Sequence, residues 1–309
     1  MTTAFIFPGQ GSQSIGMMNS LAESSTVIQD TFSEASAVLG YDLWALVTEG
    51  PAEKLNSTEY TQPAMLTAGV ASWRAWLEAG GAAPSVMAGH SLGEYSALVC
   101  AGALEFTDAV SLVSDRARFM QQAVPEGEGA MAAVLGLDDE DVRNLCQASA
   151  AGEVLQAVNY NAPGQVVVAG SATAVGRLLE NAKAAGAKRA LPLPVSVPSH
   201  CALMQPASDR MAERLKEVAI SQPRTPVIHN VNVQAASDED NIRQLLARQI
   251  SEPVRWVETI NSMNEMGVAQ LFECGPGKVL CGLNKRINRD MGCIPLITMD
   301  SINFAMETE

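Results

Sequence analysis

The chain has 309 residues, 47% of them apolar and 17% charged, with a formal net charge of −14. That length suits one large α/β domain or two smaller ones. The acidic balance repels nucleic-acid phosphates, and no stretch approaches the ~20 apolar residues of a membrane span.

The first residues, Met1 to Pro8, lack the basic start and long apolar core of a signal peptide. Six cysteines are scattered without a Cys-x-x-Cys pair. Free thiols in a reducing cytoplasm are therefore expected, rather than disulfides or zinc.

Residues 4–7, Ala-Phe-Ile-Phe, predict a short buried strand ended by Pro8. Gly9-Gln10-Gly11-Ser12-Gln13 follows; it lacks the phosphate-loop spacing and its Lys, which excludes nucleotide binding there. Glycines on both sides of Gln10 free its amide for a close approach to a reacting group. Helical patterns cover 21–39 and 61–77, and Gly80-Gly81 breaks the second. An apolar run then ends in Gly89-His90-Ser91-Leu92-Gly93, and Glu94 to Ala101 reads as a helix. Strand, tight turn, Ser and helix form the context of a nucleophile elbow. A plain strand-to-helix turn with a Ser N-cap is the other reading. Another amphipathic helix spans 110–123 and carries Arg116 and Arg118.

Composition changes at Pro125-Glu126-Gly127. Strands are predicted over 130–137, 154–160, 165–169 and 188–193, with one helix starting at 138–141, another over 172–185 and a turn at 161–164. The order β-α-β-β-α-β is ferredoxin-like. The expected architecture is an α/β-hydrolase-like large domain with a parallel sheet, residues 1–127 and 197–309, into which a small ferredoxin-like domain, 128–196, is inserted. In the returning chain, 202–218 reads as a helix, 226–233 as a strand and 242–249 as a helix. A further helix starts after Pro253; 268–273 is a strand and 280–286 a helix.

A serine nucleophile needs a base, and there are three histidines. His90 adjoins Ser91, where neighbouring side chains diverge, and suits packing behind the elbow. His229 falls inside a predicted strand as a core residue. His200, in a proline-fixed segment at the domain junction, is the candidate base; a surface loop His is its alternative. No Asp or Glu stands at a strand end between Ser91 and His200 to complete a triad. A backbone carbonyl would then orient the His. On the residues alone, Arg116 reads as an exposed helix Arg ahead of any ligand role.

Residues 7–13 (Phe-Pro-Gly-Gln-Gly-Ser-Gln), Gln62-Pro63-Ala64, the elbow through Glu94, Val197-Pro198-Ser199-His200, Asn161-Ala162-Pro163-Gly164-Gln165 and Gly275-Pro276-Gly277 together resemble the malonyl-CoA:acyl carrier protein transacylases of bacterial fatty acid synthesis. The resemblance implies Ser91 as nucleophile, His200 as base held by the carbonyl of Gln249, the amides of Gln10 and Leu92 as oxyanion hole, and Arg116 on the malonyl carboxylate. It places Gln62, Asn161 and Gln165 among the substrate contacts. Arg118 does not match the family position. Ser199, before the His, stands where related modular synthases that use malonyl carry an aromatic residue; the stand-alone enzymes also have Ser. Malonyl-CoA and acyl carrier protein are the implied partners, with no metal or bound cofactor, and a cytoplasmic monomer is expected. A serine thioesterase and a non-catalytic carrier-binding module are the rival functions. Lys188 and Arg189, with Lys285, Arg286 and Arg289, are the basic clusters available to dock an acidic carrier; solvated element ends are their alternative.

Overall fold

The computed structural model describes residues 2–195 and 197–308. Among the described residues, nine strands form two sheets. β1 (Thr3–Phe7), β2 (Val86–Gly89), β7 (Val227–Ile228), β8 (Gln270–Glu273) and β9 (Gly292–Pro295) make a parallel sheet in the order β7-β2-β1-β8-β9. β3 (Gly129–Leu135), β4 (Leu155–Ala162), β5 (Gln165–Ser171) and β6 (Arg189–Pro192) make an antiparallel sheet in the order β4-β5-β3-β6. With helices Asp139–Ala150 and Ala172–Asn181, the second sheet has the ferredoxin-like order expected from the sequence.

A strand buried on both faces is apolar throughout, and its side chains still alternate between the faces. β1 follows this rule. Phe5 and Phe7 enter one core, where Phe5 meets Trp73, Trp76 and Phe272 edge-on at 5.1–5.2 Å. Ala4 and Ile6 enter the opposite core with Trp256 and Leu271. The small sheet has its own core, centred on Val134, Val166, Val168 and Leu178. The two units are stitched by backbone bonds: Tyr160 N–H donates to Val254 O at 3.0 Å, and Val254 N–H to Val158 O at 2.8 Å. No helix of the described residues is long and apolar enough to cross a membrane.

Several elements differ from their predicted form. The pattern at 21–39 is two helices, Asn19–Ala22 and Val27–Leu39. The 202–218 segment divides into a short 3₁₀ turn and a helix over Gln205–Leu215, and the 172–185 helix ends at Asn181. β4 runs on through Asn161 and Ala162, so the turn narrows to Pro163-Gly164. β7 stops at Ile228, which leaves His229 just past the strand. Helices Leu43–Glu49, Ala52–Leu55 and Met299–Glu307 and strand β9 were not anticipated. The cysteine expectation is corrected for one pair. β9 brings Cys293 beside Cys281 of helix Val279–Ile287, the Cα atoms lie 5.2 Å apart, and the two are joined as a disulfide. Cys100, Cys146, Cys201 and Cys274 are free.

Candidate active site

β1 and β2 pair in register up to Phe7 and Gly89, so the loops that leave them start side by side. Ligands of open parallel sheets bind at such carboxyl ends. The chain turns so tightly there that a Cβ on Gly89 would lie 1.8 Å from the carbonyl carbon of Gly93, and one on Gly93 2.0 Å from Phe7 O. No larger residue fits at either position. Ser91 at the tip has φ 52°, a left-handed conformation that costs a non-glycine residue about 1–3 kcal/mol. Such strain persists only when the surroundings hold it. Ser91 N–H donates to Asn230 Oδ1 at 2.7 Å, and Ser91 O accepts from Gln249 Nε2 at 2.9 Å.

Ser91 Oγ lies 2.7 Å from His200 Nε2, and His200 Nδ1 lies 2.7 Å from Gln249 O. A carbonyl oxygen only accepts, so Nδ1 carries the proton and Nε2 is free to take one from the serine. The carbonyl does the orienting that a carboxylate does in a triad. Burial, reinforced by the nearby Arg116 charge, lowers the His200 pKa to about 3. Its imidazole is therefore neutral, a base ready at any ordinary pH. Among the described residues, neither Gln10 nor Leu92 donates its N–H to an internal acceptor. Both residues wall the pocket that contains Ser91 Oγ. That arrangement suits an oxyanion hole.

Arg116 is buried, not exposed. Helix Phe106–Ala123 carries it across to the elbow. Its Nη1 donates to Gln62 Oε1 at 2.8 Å, and its Nη2 to Gln249 Oε1 at 2.9 Å and to Ser91 Oγ at 3.3 Å. All three partners are neutral, and among the described residues Nε has no hydrogen-bond partner. Burial lowers the Arg116 pKa from its usual value, yet a guanidinium stays protonated in a protein. The pocket thus holds a cation beside the nucleophile with no anion paired to it. By contrast, Arg118 is exposed and pairs with Asp115 at 2.6 Å.

The inner pocket, about 110 Å³, is lined by Gln10, Gln62, Ser91, Leu92, Arg116 and His200 among others. It adjoins a cavity of about 610 Å³ between the two sheets, walled by the Gly9–Gln13 loop, Val167 and Leu193 of the small unit, and Leu280 and Leu283. Asn161 and Gln165 line this outer cavity rather than the inner pocket. Asn161 Oδ1 lies 2.8 Å from His90 Nε2, which turns His90 away from Ser91 and toward Trp256. Gln165 accepts a hydrogen bond from Arg286, which also donates to Pro163 O at 3.2 Å. Lys188 and Arg286 line one groove where the small unit meets the large one. Arg189, Lys285 and Arg289 are exposed beyond it. The sequence did not single out Asn230, Glu94 or the side chain of Gln249. All three are buried polar groups at the elbow, and a buried Glu on the first turn after the serine was the available signal.

A serine and a neutral histidine, with a buried cation beside them in one small pocket, define an enzyme of serine-based acyl transfer. Residues 4–286 match the model of the acyl transferase domain family, and the chain belongs to that family. It is similar to the malonyl CoA-acyl carrier protein transacylase of Escherichia coli K12, with 58% identity over 284 residues, 92% of each chain. The Bacillus subtilis protein of that name is 45% identical over 306 residues, 99% of this chain and 96% of the other. Among solved structures, a malonyl-transacylase in complex with its holo type II PKS acyl-carrier protein has a TM-score of 0.99, 53% identity and 100% coverage of both chains. The Coxiella burnetii transacylase has a TM-score of 0.98 at 50% identity, covering 99% of this chain and 97% of the other.

Because the His200 pKa lies near 3, the rate of acyl transfer to Ser91 is expected to stay nearly level from pH 7.5 to pH 5. An imidazole of ordinary pKa, about 6.5, would lose about thirtyfold over that range. Stability carries the opposite sign. Below pH ~6.5 the unfolded chain protonates this His while the folded one does not, so its contribution to stability falls as pH drops toward 3. Single-turnover acylation against pH, with urea midpoints at the same pH values, checks both.

Proposed function

We propose that this protein transfers a malonyl group from malonyl-CoA to the phosphopantetheine thiol of acyl carrier protein. The observation that carries the reading is Arg116: a buried guanidinium with only neutral partners, 3.3 Å from Ser91 Oγ. Leaving that cation unpaired is costly. An acyl group that ends in a carboxylate relieves the cost, and a neutral one does not.

The reaction runs in two halves. His200 Nε2 takes the Ser91 proton as Oγ attacks the thioester carbon, and the oxyanion forms against the amides of Gln10 and Leu92. The C–S bond then breaks, and His200 returns the proton to the departing coenzyme A sulfur. In the second half His200 takes the proton of the carrier thiol, the sulfur attacks the malonyl-serine ester, and Ser91 leaves with the proton. The proposed chemistry uses no metal or bound cofactor, and it belongs in the cytoplasm. Gln62 and Gln249 aim the guanidinium. Asn161 and Gln165 wall the outer cavity, along which the pantetheine arm of either carrier would lie.

Intact mass after malonyl-CoA, and again after the carrier protein, tests the whole reading. Wild type should gain one malonyl group and then lose it to the carrier. Ser91→Ala should gain none and lose about 10⁶ in rate. Release of free malonate instead of transfer would mark a thioesterase, and no adduct on wild type a binding module.

Arg116 sets the selectivity. Truncating one partner of a buried charge pair costs roughly 2–5 kcal/mol, or on the order of thirty- to several-thousandfold at 1.4 kcal/mol per tenfold. Arg116→Ala should lose malonyl transfer by that factor and gain relative activity on acetyl-CoA. Arg116→Lys should fall between, since it keeps the charge without the fork. Acyl-enzyme formation from each donor is the measurement, and an unchanged malonyl preference in Arg116→Ala would remove the assignment.

The carrier is proposed to dock at the groove lined by Lys188 and Arg286, beside the mouth of the outer cavity. Arg189, Lys285 and Arg289 extend the positive surface on an otherwise acidic protein. Because Arg286 also ties the two units together through Gln165 and Pro163, Lys188 is the cleaner probe. Lys188→Glu should raise the KM for carrier protein severalfold and leave acylation by malonyl-CoA intact. Equal damage to both half-reactions would count against docking there.

A further inference from the structure

Asn230 lies two residues past β7, the strand beside β2, and is fully buried. Its carboxamide spans the base of the elbow. Nδ2 donates to Gly89 O at 2.7 Å, and Oδ1 accepts from Ser91 N–H at 2.7 Å. A flipped amide would set donor against donor and acceptor against acceptor, so the elbow itself fixes the orientation. The main chain of Asn230 is fixed in turn. Its N–H donates to Glu94 Oε2 at 2.8 Å, while Glu94 Oε1 lies 2.7 Å from His229 Nδ1. Glu94 sits on the helix that starts at the elbow, three residues after Ser91. The helix therefore supplies the carboxylate that holds the residue that holds the elbow before it. Asn230, Glu94 and His229 are all buried.

None of these contacts reaches the inner pocket. Asn230, Glu94 and His229 are absent from its lining, which ends at Ser91 and Leu92. Their effect falls on the conformation of Ser91 rather than on any substrate atom. Gln249 Nε2 holds the carbonyl side of Ser91, and Asn230 holds the N–H side. With both sides pinned, φ stays at 52°, Oγ meets His200 Nε2 at 2.7 Å, and the Ser91 N–H cannot compete with the Leu92 N–H for the pocket.

We propose that Asn230, oriented by Glu94, is a positioning residue for acylation: it takes the Ser91 N–H, holds the elbow tip in its left-handed conformation and so aims Oγ at His200. The proposal deepens the acyl-transfer reading and rests on it for the donor, but it concerns the reactivity of Ser91 toward any electrophile. Misplacing a nucleophile by an ångström costs on the order of a hundredfold, and losing a support behind a reacting group about 10- to 100-fold.

The test uses the full chain and two probes, malonyl-CoA and a fluorophosphonate that labels activated serines whatever their substrate. Asn230→Ala should slow labelling of Ser91 by both probes by about a hundredfold per folded molecule. The Kd for malonyl-CoA, measured with Ser91→Ala as background, should stay within threefold. Asn230→Asp adds a readout that lost packing alone would not move. Its protonated carboxyl can donate to Gly89 O and accept from Ser91 N–H, whereas the ionised form sets an oxygen against Gly89 O. Its rate relative to wild type should therefore be highest at acid pH and fall as the new carboxyl ionises beside Glu94 and His229, with Arg116 and His200 across the elbow. Should Asn230→Ala not fold, this pH profile decides. Labelling within threefold of wild type in the folded variants, a loss confined to malonyl-CoA affinity, or a pH-independent Asn230→Asp ratio would overturn the proposal. A wild type that reacts with the fluorophosphonate and not with malonyl-CoA would instead fault the donor assignment, and the Asn230 comparison would still be read with the first probe.

Discussion

A guanidinium kept out of water without a paired anion is the constraint around which this site is built. Arg116 is about 1% exposed, and the oxygens of Gln62, Gln249 and Ser91 replace only part of its lost hydration. Tyr95 adds a ring face 5.5 Å away. Such a group is stable in a fold only if its surroundings are rigid and well bonded. Gln249 supplies much of that rigidity. Its side-chain oxygen meets Arg116, its side-chain nitrogen meets Ser91 O, and its main-chain oxygen meets His200 Nδ1. One residue thus links the cation, the nucleophile and the base, and displacing it would move all three.

The sheet makes this convergence possible. β1 and β2 are hydrogen-bonded neighbours, so Gln10 and Leu92 come from loops that begin at the same level. Gly89 and Gly93 let the elbow close against Phe7 O with no side chain between. Two residues from distant parts of the chain then line the pocket of one serine, and among the described residues neither gives its N–H to an internal acceptor. Donors left free in advance cost nothing to arrange at the moment of reaction, which is where electrostatic catalysis gains most.

Much of this was legible in the sequence where local chemistry decides structure. β1 is a continuous apolar run stopped by Pro8, the elbow is punctuated by glycines, and the small unit alternates strands and helices with acid at helix starts. Ser91, His200 and the absence of a triad acid followed from the motif and from elimination among three histidines. The burial of Arg116 did not, because a helix pattern cannot say which polar residue faces helices distant in the sequence, here those carrying Gln62 and Gln249. Only the family likeness separated it from an exposed arginine. β9 was invisible for a different reason. Its four residues are half-buried at a sheet edge and end in Pro295, so they show neither alternation nor a full apolar run. Missing it also hid the partner of Cys281. Helix Met299–Glu307 starts from a capping box with Ser301 at its third position, where the commoner signal is Glu or Gln. The Asn230 contacts are all of long sequence separation, and no local pattern encodes them.

The division into two cavities bears on why an acyl-enzyme here would wait for a thiol instead of reacting with water. The inner pocket, about 110 Å³, has room for only a few waters at roughly 30 Å³ each. A short acid bound to Arg116 through its carboxylate would fill most of that space. His200 Nε2 faces the same pocket, so a water competent to attack would have to sit where the acyl group and the imidazole already crowd the ester carbon. The outer cavity, about 610 Å³ and walled by both units, falls in the size range of ligand pockets, and a long flexible arm can lie along it to bring its sulfur to the ester from that side. Val158, Tyr160 and Val254 join the small unit to the large one by backbone bonds, and both units wall the cavity, so a chain lying along it would be held between them before any charge on its carrier is met.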